Sequence, residues 1–506
     1  MEYNVDSLEK ALREIRTSVL FDEKWYKRTY GIRKHDPAMH YLIEGWTRGC
    51  DPSPFFSTSG YLKANPDVAE AGVNPLVHWE EWGHREARRR GSVDLVALRK
   101  AHPELVTDMK NGLVRLRVTN ACNAKCRYCG VRLYFGPERE HMMEKSWLFD
   151  VCRPLYSKIK YLLLTGGDPL ITPHSYEFMD FISREYPQIT IMAETNGIAF
   201  DERMQDLAAR NLFRVHVSMN ASTPEVYEKS CWEGEKGGAL VFQRFTKNIE
   251  QYLGLLKEKS LLAFAPDLSM VINHDNYFDV VPFIKKALSY HAMCISFYFD
   301  YTENDMNCAY FTRPDISRKA LRQMMEIERV LAEKVFLSFR LWVPTKELAM
   351  MQEEVDAEPE AVLKERYADL LALAKGRSIV EEHEERNARR RKLGKAELTF
   401  DEDYSPTIRL EKREGRNLCF APWKELDLYP NGRIDFCGWY EPTLDLKSYI
   451  ECGKVDWNEV LNCYAYMRGR YRILLGDYDE CQDCCPMNDQ TNPILNLYEH
   501  SCPSMA

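Results

Sequence analysis

The sequence predicts an α/β protein built around a partial (β/α)6 barrel, with a helical repeat domain before it and a small cysteine-rich α+β domain after it. Three observations carry this. Six short apolar, β-branched runs alternate with helical stretches inside residues 112–311, and such alternation builds βαβ units and a parallel sheet. A motif is duplicated inside residues 21–91. The sixteen cysteines are bunched, three directly after the first apolar run and most of the others near the end.

Composition sets the outer limits. The 506 residues provide several domains at about 100–200 residues each. Hydrophobic residues make up 45% and charged residues 29%, which excludes a mainly disordered chain. The net charge of −9 argues against a dedicated nucleic-acid partner. No apolar run is long enough for a membrane span. Residues 1–20 read as a charged, amphipathic helix with no signal-peptide core, so a cytoplasmic location is expected. A reducing compartment disfavours stable disulfides, and clustered cysteines then read as metal or iron–sulfur sites.

Residues 21–91 form the expected repeat domain. The first copy runs from Phe21 through Trp25-Tyr26 to Asp36-Pro37, His40-Tyr41 and Gly45. The second runs from Phe56 through Tyr61 to Asn74-Pro75, His78-Trp79 and Gly83. Each copy reads as two short helices, with Pro after Asp or Asn as a start and Gly as a stop. His40 and His78 read as packing or capping residues, because no Cys or acidic ligand recurs with them. Trp25, Tyr26, Tyr41, Trp46, Tyr61, Trp79 and Trp82 read chiefly as helix packing, with an exposed binding surface as the alternative. The repeats resemble modules of bacterial surface-glycan glycosyltransferases. Residues 92–111 read as a linker.

The six runs are Val114–Asn120, Tyr161–Thr165, Ile189–Glu194, Arg214–Asn220, Leu268–Asn273 and Cys294–Phe299. Helices are expected over His174–Tyr186, Asp201–Asn211, Ala239–Lys259 and Tyr277–His291. Six units are too few for a closed eight-fold barrel and suit an open one. Chemistry in such barrels collects at the C-terminal strand ends.

The first strand leads into Cys122-Asn123-Ala124-Lys125-Cys126-Arg127-Tyr128-Cys129, a C-x3-C-x2-C spacing. Structural zinc wants four protein ligands, and no fourth lies close by in sequence. Three thiolates suit a [4Fe–4S] cluster with one iron left open. The motif resembles the radical S-adenosylmethionine (SAM) superfamily. That resemblance implies that Cys122, Cys126 and Cys129 hold the cluster and that S-adenosyl-L-methionine chelates the open iron. It further implies reductive cleavage to a 5′-deoxyadenosyl radical that abstracts a hydrogen atom, with electrons from a low-potential donor such as flavodoxin or ferredoxin. Tyr128 stands at the aromatic position that the family places beside the cluster and the adenine.

Later strand ends extend the resemblance over residues 114–300. Gly166-Gly167-Asp168-Pro169 is similar to the family's G-G-E-P motif, whose acid holds the SAM amino group; Asp replaces Glu here. The glycines would let the backbone approach a ligand. Thr195-Asn196-Gly197 is similar to the T-N-G turn. Ser218 and Asn220 match the S-x-D/N segment that reaches the SAM ribose and carboxylate, with capping of the next helix as the plain alternative.

Residues 312–415 read as a charged helical insertion, with Lys364–Tyr367 and Glu381–Lys395 as solvated stretches and the Arg389–Lys392 run as an exposed face. Residues 416–506 follow as the cysteine-rich domain. Cys419 and Cys437 bracket an apolar hairpin with an Asn431-Gly432 turn, and Cys481 and Cys484 follow. By spacing alone four such thiolates suit zinc or a cluster equally. Their order resembles the twitch domain, a short relative of the SPASM iron–sulfur domain, which implies one auxiliary [4Fe–4S] cluster held by Cys419, Cys437, Cys481 and Cys484. Gln490 stands where the longer SPASM pattern has a further Cys, and Cys485 is an alternative to Cys484. Cys452, Cys463 and Cys502 read as packed thiols, as do Cys231, Cys294 and Cys308, which are also the candidate hydrogen-atom donors.

The expected function is therefore hydrogen abstraction by a radical SAM oxidoreductase or isomerase, with the auxiliary cluster accepting an electron. The expected reaction is oxidation or epimerisation of a carbohydrate-like small molecule; the alternative is a maturase that modifies a peptide or protein side chain.

Overall fold

The computed structural model describes residues 5–474 apart from 19, 33–34, 84–94, 130, 132–140, 234–235, 300–313, 341–344, 405–409, 414–415, 438–443 and 452. The chain divides into two compact units, Met1–Val106 with Leu461–Tyr471, and Thr107–Val460 with Arg472–Ala506.

The first unit is helical, and both sequence repeats share one core that includes Tyr26, Tyr41, Leu42, Phe56, Tyr61, Leu76 and Val77. Asp36 and Asn74 cap the helices that start at Pro37 and Pro75, as the Asp-Pro and Asn-Pro pairs predict. Tyr26 and Tyr61 carry out the same task in each copy. The Tyr26 hydroxyl meets His40 Nδ1 at 2.9 Å and the Tyr61 hydroxyl meets His78 Nδ1 at 2.8 Å. The recurring histidines are thus partners of recurring tyrosines.

Gly45 does not act as the expected stop, and the residues after Gly83 lie outside the described ones. Gly45 has right-handed helical angles (φ −62°), and the left-handed stop comes at Gly49 (φ 77°). A Cβ on Gly45 would lie 2.0 Å from Tyr26 Oη, and one on Gly83 would lie 2.5 Å from Tyr61 Oη. Glycine is needed there for room, because the tyrosine hydroxyl occupies the space of a side chain. Of the seven aromatic residues in the repeat motif, only Trp82 is exposed.

The second unit is α/β. Its parallel strands are β1 Leu113–Thr119, β2 Tyr161–Gly166, β3 Thr190–Thr195, β4 Arg214–Ser218, β5 Asp267–Ile272, β6 Cys294–Phe299 and β7 Phe336–Arg340. The six expected strands are present within a residue or two. Strand β7 was not expected, because its five residues are embedded in charged sequence. Strands β8 Leu410–Arg413 and β9 Arg416–Cys419 form a separate antiparallel pair. Then β10 Glu425–Leu428, β11 Arg433–Asp435 and β12 Leu444–Asp445 complete a ten-stranded sheet, in the order β12-β11-β10-β1-β2-β3-β4-β5-β6-β7. The expected hairpin with its Asn431-Gly432 turn is β10–β11. It is also part of the central sheet, since β10 runs parallel to β1 with Glu425 opposite Leu113.

The charged insertion is helical as expected but is not merely solvated. Helix Ile379–Lys392 buries Arg386 and Arg390. Arg386 Nε and Arg390 Nη2 donate to Asp403 at 2.7 and 2.6 Å, and His383 Nδ1 lies 2.9 Å from the same carboxylate. Arg214, at the start of β4, donates to the Asp403 and Tyr404 carbonyls and to Asp267. Lys395 donates to the Pro187 and Ile189 carbonyls just before β3. The segment therefore closes the N-terminal end of the barrel. Of the basic run only Arg390 turns inward, onto Asp403, while Arg391 and Lys392 are exposed as expected. Among the described residues, no helix is long and apolar enough to cross a membrane.

Candidate functional site

The C-terminal strand ends gather the motif residues on one rim. The cysteine loop leaves β1 and is pinned to residues 231–233. Arg127 N donates to the Cys231 carbonyl at 3.0 Å, Glu233 N donates to that of Lys125 at 2.7 Å, and Arg127 Nε donates to that of Trp232 at 2.7 Å. Cys122, Cys126 and Cys129 are half-buried free thiols. Cys122 Sγ accepts from Ala124 N and from Asn196 Nδ2, each at 3.4 Å. Burial, with the neighbouring thiols, pushes Cys122 up to about 11 and Cys126 further up.

The two glycines of the second motif serve the protein backbone. A Cβ on Gly166 (φ 128°) would lie 2.1 Å from Thr119 O, and one on Gly167 would lie 1.9 Å from Ala121 O. Gly167 N donates to Thr119 O at 2.6 Å and Asp168 N to Ala121 O at 2.9 Å. What they approach is the exit of β1, so the absence of side chains presses the β2 turn against the cysteine loop. Pro169 opens a short 3-10 turn that Asp168 caps.

Asp168 was expected to face the SAM amino group. It is fully buried and fully engaged by the protein. One oxygen accepts from Leu170 N at 2.9 Å, and the other from Thr195 Oγ1 at 2.8 Å and Asn196 N at 2.9 Å. Burial raises its carboxyl, against the pull of those three donors. Its one-carbon-shorter side chain thus ties the β2 turn to the β3 turn. Asn220, also expected at a ligand, is likewise committed. It is buried in the left-handed region (φ 61°), with Oδ1 accepting from Val271 N at 2.9 Å and Nδ2 donating to Ser218 O at 3.2 Å. This locks β4 to β5. Ser218 remains half-buried at the end of β4.

Tyr128 is buried against Cys231 and Cys126. Cys231 and Cys294 are buried, as expected of packed thiols. Cys308, Cys452, Cys481, Cys484, Cys485, Gln490 and Cys502 lie outside the described residues.

A second layer lies beneath this rim. Alternate residues of a strand share a face, so Arg115 and Arg117 of β1 line the same face as Thr119. Register places Arg117 beside Thr165 and Glu194 beside His216. Thr165 Oγ1 donates to Glu194 Oε2 at 2.6 Å, and His216 Nε2 lies 2.9 Å from Ser269 Oγ. On the other flank Arg115 and Arg117 both pair with the buried Asp427 carboxylate of β10. Arg117 also lies over the Tyr429 ring. Glu194 is open to solvent on the lumen side; the packed strands around it desolvate its charge, but His216, Thr165, Arg115 and Arg117 prevail and hold its carboxyl below the ordinary value. None of these lumen residues was singled out from sequence. The available signal was polar residues at every second position of otherwise apolar runs.

Of the terminal cysteines, Cys437 lies at the far end of β1. Cys437 follows β11 at the open end of its hairpin, level with the entry of β1, near enough to Arg115 to act on it electrostatically. Cys122 follows the exit of β1. The seven residues of that strand separate the two levels by about 20 Å. The polar row lies between them.

The rim fits an iron–sulfur group held by thiolates. It offers three free thiols on one loop, pushed up by burial and thus in want of a cation, with N–H donors aimed at one sulfur. Among the described residues no three His, Cys, Asp or Glu side chains converge on a point suited to a single ion. A four-iron cube, being wide, does not require them to.

The family model described as Radical SAM superfamily matches residues 116–251. The FeMo cofactor biosynthesis protein NifB of Methanocaldococcus infernus is 28% identical over 215 residues, covering 37% of this chain and 68% of that protein. The GTP 3′,8-cyclase of Campylobacter lari is 25% identical over 179 residues, covering 34% of this chain and 51% of that one. For the cyclase of Nautilia profundicola the match spans 39% of its length, so the chain covers only about half of the first cyclase and less of the second. The crystal structure of Streptococcus suis SuiB bound to precursor peptide SuiA aligns over 81% of this chain and 80% of that one, at 11% identity and a TM-score of 0.43. The family model and the sequence relatives support the radical SAM superfamily, which implies SAM and one [4Fe–4S] cluster.

Proposed function

We propose that this chain is a radical SAM enzyme that abstracts a hydrogen atom from a substrate held in the barrel lumen and oxidises or epimerises it. The observation that carries the reading is the rim. Three free thiols lie on one β1 loop, and one of them, Cys122, accepts a hydrogen bond from Asn196 of the β3 turn. Cys122, Cys126 and Cys129 would hold the cluster, and Gly166, Gly167, Pro169, Thr195, Asn196, Ser218 and Tyr128 would shape the SAM site around it. When bound, the cluster supplies the electron that cleaves SAM. The chain's own work is positional: Asp168 and Asn220 fix the turns, and the polar row beneath them receives the substrate.

Cys419, Cys437, Cys481 and Cys484 would hold an auxiliary [4Fe–4S] cluster. Cys437 lies below the row and Cys122 above it, so the substrate sits between the two cysteine sites. This order suits removal of an electron from a substrate radical. A carbohydrate-like small molecule and a peptide side chain are the two substrate classes, and a low-potential flavodoxin or ferredoxin would be the donor.

The test is anaerobic reconstitution, with iron and sulfide analysis and 5′-deoxyadenosine assay. About eight irons per chain are expected. Replacing Cys122, Cys126 and Cys129 by Ala should remove about half of them and all SAM cleavage. Cys437→Ala should also lower iron by about half yet leave SAM cleavage intact. Stoichiometric zinc without sulfide would overturn the proposal.

A further inference from the structure

We propose that Thr165, Glu194 and His216 form a hydroxyl-binding subsite, and that the substrate is a neutral polyol. This rests on the reaction proposed above and chooses between its two substrate classes.

Glu194 is exposed, although it lies on a central strand flanked on both sides. One of its oxygens is held by Thr165, and the other has no hydrogen-bond partner among the described residues. An oriented carboxylate with one oxygen open to solvent is an acceptor that a bound donor can reach by displacing water, and hydrogen bonds to a charged group are among the stronger ones. The residue stands two positions before Asn196, which contacts Cys122. A group bound to it therefore lies directly below the rim where hydrogen abstraction would start.

The neighbours decide which donor fits. Thr165, His216 and Ser269 can each both donate and accept, which is the pattern a hydroxyl presents in return. Arg115 and Arg117 act on Glu194 from one side and His216 from the other, while Asp427 and Glu425 engage the far side of Arg115. The groups that stabilise the Glu194 carboxylate oppose a second cation in the same place. An ammonium, from a lysine side chain or an amine, meets that opposition; a hydroxyl does not. A carboxylate or phosphate is repelled by Glu194 itself.

Saturation-transfer NMR on the cluster-loaded chain tests this. One probe set holds glucose, galactose, N-acetylglucosamine and myo-inositol; the other holds 1,5-diaminopentane and a lysine-rich peptide. At least one neutral polyol should bind, and Glu194→Gln should weaken it about ten-fold or more, with iron per chain unchanged as the check that the variant is folded. Thr165→Val should weaken it in the same direction. The inference is overturned if no polyol binds, if binding ignores Glu194→Gln, or if the amines bind in a Glu194-dependent way. A wild-type chain that holds no cluster or cannot cleave SAM would instead sink the reaction proposed above.

Discussion

The Asp168 carboxylate accepts the Asn196 main-chain N–H at 2.9 Å, and the Asn196 side chain in turn donates to Cys122 Sγ at 3.4 Å. A buried acid at the end of β2 is thus connected, through one residue of β3's turn, to a cysteine on the β1 loop. The three strand ends are held as one unit before any ligand arrives.

Asp168→Ala should therefore act first on the fold. It leaves Leu170 N, Asn196 N and Thr195 Oγ1 without their acceptor, at about 1–3 kcal/mol for each buried group left unsatisfied. Urea denaturation should show a loss of about 3 kcal/mol or more, and the reconstituted variant should retain less iron than wild type. Unchanged stability with weakened SAM binding alone would mean that the carboxylate faces SAM.

In the repeats, Gly45→Ala should destabilise the helical unit by about 1–3 kcal/mol, as overpacking does. The new methyl would meet Tyr26 Oη, 2.0 Å from the Cβ position. Adding Tyr26→Phe removes the obstructing oxygen and should recover part of the loss. Gly83→Ala with Tyr61→Phe should repeat the pattern. Thermal denaturation of the four single and double variants reads this directly; a double variant no better than Gly45→Ala would show that the clash is not the cause.

The Asp403 cluster gives a pH-dependent prediction. Burial opposes ionisation of Asp403, but Arg386, His383 and Arg390 outweigh it and hold the carboxyl well below its usual range. A depressed folded-state value means stability that is fully present above the unfolded value, about pH 4, and lost progressively as pH falls below it towards the folded-state value. Asp403→Asn should cost about 3–5 kcal/mol at pH 7, because it leaves buried guanidinium charge uncompensated. The penalty should shrink towards pH 3. Equal penalties at pH 7 and pH 3 would exclude the ion pairs as its source.

Much of this architecture was legible because it is written in local signals. Six β-branched runs, an Asn-Gly turn, Asp-Pro and Asn-Pro helix starts and the C-x3-C-x2-C spacing each act within a few residues. Each appears in the structure where those residues stand. Strand β7 and the sheet role of β10 were not legible, because short strands with charged residues gain their stability from neighbours far along the chain. The charge run around Arg390 is solvated at Arg391 and Lys392, but the inward turn of Arg390 was not legible for the same reason: sequence counts charges and does not show Asp403 facing one of them.

The sequence by itself determined the α/β alternation, the duplicated helical motif and the motif positions that point to an iron–sulfur rim. Only the tertiary structure decided what those residues touch. Asp168 and Asn220 proved to be internal ties, Gly45 and Gly83 room for tyrosine hydroxyls, and Glu194 an open carboxylate in the lumen. The reason is physical. Backbone preference and motif spacing are properties of adjacent residues, whereas the free energy of a buried charge or an open hydrogen-bonding oxygen depends on groups that only folding brings within a few ångström.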